Sequence, residues 1–370
     1  MLQRLLLSSR GRTLRGGIAL TIVASLVIMG SVAASAVPAR SRAASSGPFT
    51  IYVSNNYIGN PWRAQMENAI LAVAARPAYK HLVNVVIANS ENTVTSQTAS
   101  LQTIIRKHPA AILIDSASTT ALNPTVQLAC SSGIVVYTFD QVLTAPCATE
   151  VRENDALEAQ NMARWLAAAI NYKGDVLVDQ GIPGAPASVI RTKEYEGTLQ
   201  KFPNIHIVGT FVGDGAPGPE LEQVSALLAS HRDVVGVVSE GYCSSEYEAF
   251  SRAGLKLPAC ASLDTAISAL TCVNEKMTCY MWPAPSWVGA YAFVTLVSQL
   301  TGKAKPPKLI DTYEPDYFVT KAGAIKFKGD AYHQVLLAAN VNYYPTASSS
   351  LILPVTGAAL NITIMDALKG

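Results

Sequence analysis

The chain has 370 residues, 49% hydrophobic and 15% charged, so it is too apolar to be disordered and long enough for two domains. Its 28 Lys and Arg residues against 26 Asp and Glu residues leave a net charge of +2. A charge this small provides no electrostatic case for binding nucleic acid.

The first 36 residues have the composition of an export signal. Four arginines precede the apolar run 18–30, no acidic residue occurs, and Ala34-Ser35-Ala36 places small residues where signal peptidase cleaves. We therefore expect a signal peptide over 1–36 and a linker over 37–48. A retained membrane anchor is the alternative, although the apolar run is short for a span. Without these four arginines, 24 basic residues face 26 acidic ones, and no cysteine for lipoprotein attachment follows the run.

From residue 49 onward, short β-branched runs alternate with longer amphipathic stretches. The apolar runs predict eight strands, at Phe49–Ser54, Leu82–Ala88, Ala111–Ile114, Ile134–Phe139, Asp175–Gln180, Ile205–Phe211, Val234–Ser239 and Ala259–Leu263. The stretches between them predict helices at Trp62–Ala75, Val94–Lys107, Pro124–Ser131, Ala156–Tyr172, Ser188–Phe202, Pro219–Ser230, Ser244–Ala253 and Trp287–Thr301. This alternation is typical of parallel sheets with helices on both faces.

The strand and helix units fall into two similar groups. About four units precede Glu150 and about four follow it, in the same order. The pattern predicts an α/β fold of two doubly wound parallel-sheet lobes. In such sheets ligands bind outside the carboxyl ends of the strands, so the residues after each strand are the candidates for function.

The turn after the first strand carries the first candidates. Asn55, Asn60 and Arg63 offer hydrogen bonds and Trp62 offers an apolar face, which suits the hydroxyl edge and C–H face of a sugar ring. Pro61 fits the first turn of the helix that follows. A capped helix with a half-buried tryptophan is an equally good interpretation of the turn alone.

Later strand ends add the remaining candidates. Asp140 and Gln141 follow the fourth strand, and a carboxylate there can accept two hydroxyl hydrogen bonds, although a single Asp is more often a cap. Arg191 lies in the helix after the fifth strand, and its planar fork can bridge two neighbouring hydroxyls. The seventh and eighth strands end near Tyr242 and Asp264.

A tryptophan at the edge of a proline-rich stretch completes the set. Trp282 precedes Pro283 and Pro285 at the start of a long helix, which indicates a stiff crossover strand. Its ring is either available to a ligand or packed in a core.

Six cysteines lie in the part of the chain expected to be exported, where disulfides form. Fifteen pairings are possible. We favour three local bridges, because two intervals span 17 positions across a helix end and the next strand and one closes a short loop. The expected bridges are Cys130 to Cys147, Cys243 to Cys260 and Cys272 to Cys279. A metal site is disfavoured, because no Cys-x-x-Cys and no nearby His occur.

Four motifs together resemble the type I periplasmic sugar-binding proteins of ABC transporters, the ribose-binding-like family. They are Asn60-Pro61-Trp62, Tyr137-Thr138-Phe139-Asp140, Arg191-Thr192-Lys193 and Ser262-Leu263-Asp264, within a resemblance that covers about 49–319. The resemblance implies a monosaccharide site at Asn60, Trp62, Asp140, Arg191 and Asp264. The chain departs from the pattern at Arg63, where ribose binders carry an aromatic residue, and at Gln141, where an Arg is common. A polyol or a modified sugar is therefore as plausible as ribose.

The resemblance implies two lobes joined by a three-strand hinge that close on a monosaccharide or polyol and deliver it to an ABC permease. It predicts a monomer with no cofactor, no metal and no catalytic residue, in the periplasm or outside the cell. The expected N-terminal lobe is 49–152 plus 283–310, the C-terminal lobe 153–281 plus 311–320, and an extension occupies 321–370. A sensor that hands its closed state to a receptor is an alternative. A glycoside-processing enzyme that uses Asp140 with Asp264 or Glu240 is a further alternative.

Overall fold

The computed structural model of the protein describes residues 48–312, 316–330 and 332–337. The expected signal peptide and all but the last residue of the expected linker lie outside these residues, as does the predicted extension from residue 338 onward. Within the described ranges, no helix has both the length and the apolar character required to cross a bilayer.

The apolar runs form strands close to where the sequence predicts them. The described part of the chain contains thirteen strands, β1 (Phe49–Asn55), β2 (Val83–Asn89), β3 (Ala111–Asp115), β4 (Val135–Phe139), β5 (Thr149–Arg152), β6 (Gly174–Asp179), β7 (Ile205–Phe211), β8 (Val234–Val238), β9 (Ala259–Leu263), β10 (Cys279–Trp282), β11 (Leu309–Asp311), β12 (Asp316–Val319) and β13 (His333–Leu336). Four of these, β5 and β11 to β13, are short additions to the eight predicted strands, and β10 is the crossover strand expected at Trp282.

Helices connect most of these strands. The described residues form α1 (Pro61–Ala74), α2 (Val94–Arg106), α3 (Asn123–Ser131), α4 (Asp155–Ala169), α5 (Pro186–Leu199), α6 (Pro217–Leu228), α7 (Cys243–Arg252), α8 (Ala266–Asn274) and α9 (Val288–Leu300). The sequence prediction missed α8 and extended α4 to Tyr172. α4 ends earlier because Asn171 and Tyr172 adopt left-handed backbone angles, with φ of 53° and 58°, which a right-handed helix cannot continue.

The strands form two sheets, which confirms the predicted fold class. The first has the order β11-β5-β4-β3-β1-β2, and all its neighbours are parallel. The second has the order β13-β12-β10-β9-β8-β6-β7, and only the pair of β10 with β12 is antiparallel among these. Parallel neighbours need crossover helices, which here cover both faces of each sheet.

Alternate residues of the first sheet bury against different helices. Ile51 and Phe139 pack with α1 and α9 on one face, whereas Ile112 and Ile114 pack with α2 and α3 on the other. Since successive side chains of a strand point to opposite faces, a strand covered on both sides must be apolar throughout. β3 is accordingly buried over its whole length, and its residues before Asp115 are all apolar.

The chain changes sheet three times. β5 belongs to the first sheet, while the next strand, β6, belongs to the second. β10 lies in the second sheet, but the following α9 packs on the first. β11 is again in the first sheet and β12 in the second. Three such connections form the hinge between two lobes, and the last strands, β12 and β13, extend the second sheet at its edge.

Three disulfide bridges join the pairs predicted from the sequence. Their Cα–Cα distances are 6.3 Å for Cys130–Cys147, 5.9 Å for Cys243–Cys260 and 6.2 Å for Cys272–Cys279, within the usual range for a disulfide. The sulfur atoms of Cys243, Cys272 and Cys279 lie within 4.8 Å of one another, but every one of them is part of a bridge, so none is a thiolate ligand.

Candidate functional site

A cavity lies between the two lobes, at the carboxyl ends of the strands of both sheets. It encloses about 590 Å³ of space between atoms when the opening at its mouth is counted. Seven predicted ligand residues line it, namely Asn60, Trp62, Arg63, Asp140, Gln141, Arg191 and Tyr242. The other lining residues are Ile182, Ser188, Gly215, Glu240, Gly241, Leu263, Thr265 and Ala284. From the sequence, Glu240 is named only for the enzyme alternative and Leu263 only as part of a motif, and the rest are not singled out.

The turn before α1 places an aromatic ring at the cavity wall. Asn60 caps the helix, because its Oδ1 accepts a hydrogen bond from the Arg63 backbone N–H at 3.0 Å. Trp62 is the second residue of α1, and its indole N–H donates to the carbonyl oxygen of Ala284 at 2.7 Å. The indole ring is thereby fixed to a hinge segment, and the Arg63 guanidinium lies over the ring, 5.0 Å from its centroid.

Arg63 binds two carboxylates of the first lobe. Its guanidinium is buried and forms ion pairs with Asp115, at the end of β3, and with Asp140, where the N–O distance is 3.3 Å. Asp140 also accepts a hydrogen bond of 3.0 Å from the Gln141 side chain. Its backbone φ of 52° is a left-handed angle that Asp tolerates better than most residues. Asp140 and Gln141 thus sit in a sharp turn directly after β4.

Arg191 plays the corresponding role in the second lobe. It is buried in α5, and its nitrogen atoms lie 2.8 Å from Asp155, 3.8 Å from Glu158 and 3.7 Å from Glu240. The Ser188 hydroxyl donates to the same Glu240 oxygen at 2.7 Å. Burial raises the pKa of Glu240 to about 7 and that of Asp155 to about 6, although the Arg191 charge opposes both shifts.

Asp179, at the end of β6, connects the loops that carry the second-lobe residues. It is fully buried, and its carboxylate accepts backbone hydrogen bonds from Gly181 and Gly213 at 2.9 Å and from Glu240 at 3.0 Å. These three N–H groups follow β6, β7 and β8. Burial raises the pKa of Asp179, whereas the three backbone bonds lower it.

Glu220 holds the neighbouring turn, residues 239–242, through two hydrogen bonds. Its carboxylate accepts hydrogen bonds from the Ser239 hydroxyl and from the Tyr242 backbone N–H, the latter at 2.7 Å. Tyr242 precedes α7 and lines the cavity. The turn 239–242 is therefore held by buried carboxylates, which leaves little freedom for Glu240 and Tyr242.

The structure places three of the predicted ligand residues, Asn55, Asp264 and Trp282, away from the cavity lining. Asn55 is buried and donates from its side chain to Glu67 at 2.7 Å. Asp264 is also buried, and its Oδ1 accepts the backbone N–H of Ala284 at 3.2 Å, which shapes the turn that carries the Trp62 partner. All three positions follow or end a strand as expected, but the side chains of Asn55 and Asp264 bond within their own lobe or to the hinge.

Trp282 lies at the hinge. Its ring packs edge-on against Tyr332, with centroids 4.6 Å apart. It lines a separate cavity of about 580 Å³, counted in the same way, together with residues of all three connections. This arrangement matches the core-packing interpretation of Trp282 that the sequence left open.

The two lobes touch around the cavity. The Gln141 side chain accepts a buried hydrogen bond of 2.7 Å from the Ala187 backbone N–H, and the Asn92 side chain donates to the Pro183 carbonyl at 3.5 Å. Asn60 also lies against Gly215. Residues of both lobes thus meet across the cleft, and the conformation is closed.

Comparison with known proteins gives one family match and several relatives. The model of the family described as periplasmic binding protein domain matches residues 51–304. The ribose import binding protein of Bacillus subtilis (strain 168) is 24% identical over 190 residues, which are 51% of this chain and 60% of that protein. The xylitol-binding protein of Mycolicibacterium smegmatis is 24% identical over 127 residues, 34% of this chain and 36% of that protein. The chain thus spans less than two thirds of these curated relatives.

Solved structures share the fold over most of the chain. An ABC transporter solute binding protein from Thermobispora bispora DSM 43833 has 27% identity and a TM-score of 0.65, and the match covers 71% of this chain and 83% of that one. A galactofuranose binding protein has 21% identity and a TM-score of 0.65, covering 72% and 93%.

Proposed function

Because the chain belongs to the periplasmic binding protein domain family, we propose that it captures a monosaccharide or polyol between its lobes and delivers it to an ABC importer. The observation that carries this proposal is the closed cavity, to which both lobes contribute hydrogen-bonding side chains and one lobe an indole ring. Relatives named for ribose, D-apiose and xylitol support a small polyhydroxylated ligand.

Different lining residues contact different parts of the ligand. The Trp62 ring covers the C–H face of the ligand, while Asp140 and Gln141 from one lobe and Arg191 and Glu240 from the other bond its hydroxyl groups. Charged partners make these hydrogen bonds stronger than neutral ones and fix their direction. We propose that the cavity binds without chemical turnover, since each lining Asp or Glu is already paired with an arginine.

Binding favours closure of the hinge. Only the closed state offers both sets of bonds at once, so a ligand that contacts both lobes shifts the equilibrium towards it. The Gln141 contact with the Ala187 N–H forms only when the lobes meet, and it adds to the stability of the closed state. The closed lobes then present one surface to the transporter, outside the cytoplasm.

A thermal-shift screen of the chain from residue 37 against pentoses, hexoses, polyols and amino sugars tests the proposal. A ligand at 100 times its Kd stabilises the protein by about 2.7 kcal/mol, which is a rise of several degrees in Tm. Each compound that gives a rise is then titrated by calorimetry and assayed for turnover. A screen in which no sugar or polyol raises Tm contradicts the proposal, and product formation contradicts its non-enzymatic part.

A further inference from the structure

The cavity wall and the ion-pair partners of its arginines together carry more acidic than basic groups. Among the described residues, the two buried arginines form ion pairs with five carboxyl groups, namely Asp115, Asp140, Asp155, Glu158 and Glu240. Full ionisation of these seven groups leaves a formal charge of −3. Buried charge of one sign is unfavourable unless it is neutralised by protons or by a partner of the opposite sign.

Glu240 is the acidic group of the second lobe that reaches the cavity lining. The residue is only 6% exposed. Its Oε2 is bonded by Ser188 at 2.7 Å, but its Oε1 has no hydrogen-bond partner among the described residues. A buried carboxylate oxygen without a partner is costly, and at a cavity wall a ligand can supply the missing donor.

The neighbours of Glu240 leave a negative surplus around it. Asp155 and Glu158 of α4 already engage Arg191 of α5, so the arginine charge is shared among three carboxyl groups. Asp179 of β6 and Tyr195 of α5 also face this cluster. Glu153, which precedes α4, adds a further carboxyl group close to Glu158 and Arg191.

We infer, on the basis of the proposed function, that the preferred ligand is an amino sugar or another polyhydroxylated compound with one ammonium group, and that Glu240 selects this group. An ammonium group donates to the free Oε1 and neutralises part of the surplus. A hydroxyl group can donate one hydrogen bond but brings no charge. The cavity therefore distinguishes an amine from the hydroxyl group that it replaces.

Proton release distinguishes the two kinds of ligand. Burial raises the pKa of Glu240 to about 7, so the group is partly protonated in the ligand-free protein at neutral pH. An ammonium partner stabilises the carboxylate and lowers this pKa, and about half a proton is released near pH 7. A neutral sugar whose hydroxyl donates to Glu240 brings no charge, lowers this pKa less and releases a smaller fraction of a proton.

The probes are D-glucosamine, D-galactosamine and D-mannosamine, each compared with its parent hexose by calorimetry in two buffers of different ionisation enthalpy. We expect one amine to bind about tenfold or more tighter than its parent and to release protons. Its affinity should rise from about pH 5.5 to about pH 7, because the ionised fraction of Glu240 grows to about one half over this range. Glu240→Gln should remove the preference and the proton release, while Glu222→Gln, at an exposed position of α6, should change neither.

The outcomes separate this inference from the proposed function. If a neutral sugar of the wider panel binds while no amine binds better than its parent, the inference is wrong and the proposed function stands. If no member of the panel binds, both are wrong. Should Glu240→Gln fail to fold, proton release and pH dependence of the native protein still decide, since an amine that binds without either contradicts the role of Glu240.

Discussion

Replacement of Gly215 by alanine should weaken ligand binding without removing any ligand contact. Gly215 lies in the loop after β7, with φ of +58°, and an added Cβ would stand 2.9 Å from the Asn60 side-chain nitrogen. Asn60 belongs to the other lobe, so this contact exists only in the closed state. Asn60 cannot move aside freely, because its Oδ1 caps α1 through the Arg63 N–H at 3.0 Å.

The expected loss follows from the difference between the two states. The left-handed backbone angle costs alanine about 1 kcal/mol, but it does so in both the open and the closed state and cancels in the binding equilibrium. The clash with Asn60 remains, and overpacking of this kind costs about 1–3 kcal/mol. Since only the closed state bears this cost, affinity should fall by about 5- to 150-fold.

Calorimetry with the sugar identified in the screen measures this loss, and small-angle scattering of the saturated protein reports incomplete closure. Gly133→Ala is the matched control, since Gly133 has φ of +79° and no atom within 4 Å of an added Cβ. In an Asn60→Ser background, which keeps a helix cap but removes the amide nitrogen, Gly215→Ala should cost less. Native affinity in Gly215→Ala, or an equal loss in Gly133→Ala, would refute this account of closure.

Three further outcomes are expected. Asp140→Ala and Arg191→Ala should each lower ligand affinity by about 2–5 kcal/mol, because ligand groups and buried partners are left unpaired; calorimetry showing unchanged affinity in both removes them from the site. Thermal stability of the ligand-free protein should fall as pH rises from about 4.5 to 7, since burial raises the pKa of Glu240 to about 7 in the folded state. A raised carboxyl pKa means that the folded protein binds the proton more tightly than the unfolded chain. The stability gained in this way is fully present below the pKa of Glu240 in the unfolded chain and is lost as pH rises through its pKa in the folded protein. The same pH slope in Glu240→Gln contradicts this prediction. Replacing Cys130 and Cys147 by alanine should cost about 3 kcal/mol of unfolding free energy for a loop of this length, measured by urea denaturation, and no loss means that the bridge does not restrict the unfolded chain.

The alternation of strands and helices was predictable because buried parallel strands are apolar along their whole length. The eight predicted strands all occur, within one residue at either end. The missed elements carry weaker signals. α8 has only three polar residues among nine, so it shows little amphipathic period, and β11 and β13 are three and four residues long with largely exposed side chains. Their pairing depends on neighbours that are distant in sequence.

The position of a candidate residue relative to a strand was more predictable than the direction of its side chain. Asp140 and Asp264 both follow a strand of a parallel sheet, and only Asp140 lines the cavity. Asp264 bonds instead to the Ala284 N–H, a residue 20 positions away that β10 brings alongside. The sequence alone places both carboxylates at the same edge, whereas the choice between ligand and turn depends on the hinge segment.

Asp179 explains how loops from three separate strands can act as one binding surface. As the last residue of β6 it has no recognisable sequence signal, yet its carboxylate bonds the N–H groups that follow β6, β7 and β8. The loops at these strand ends carry Gly215 and Glu240 to the cavity, and the loop after β6 leads into α5, whose first turn carries Ser188. Because the loops are joined before any ligand arrives, closure does not have to order them, and less of the binding free energy is lost to conformational entropy. The lobes can therefore move as rigid bodies about the hinge, and the selectivity of the cavity is a property of the closed geometry.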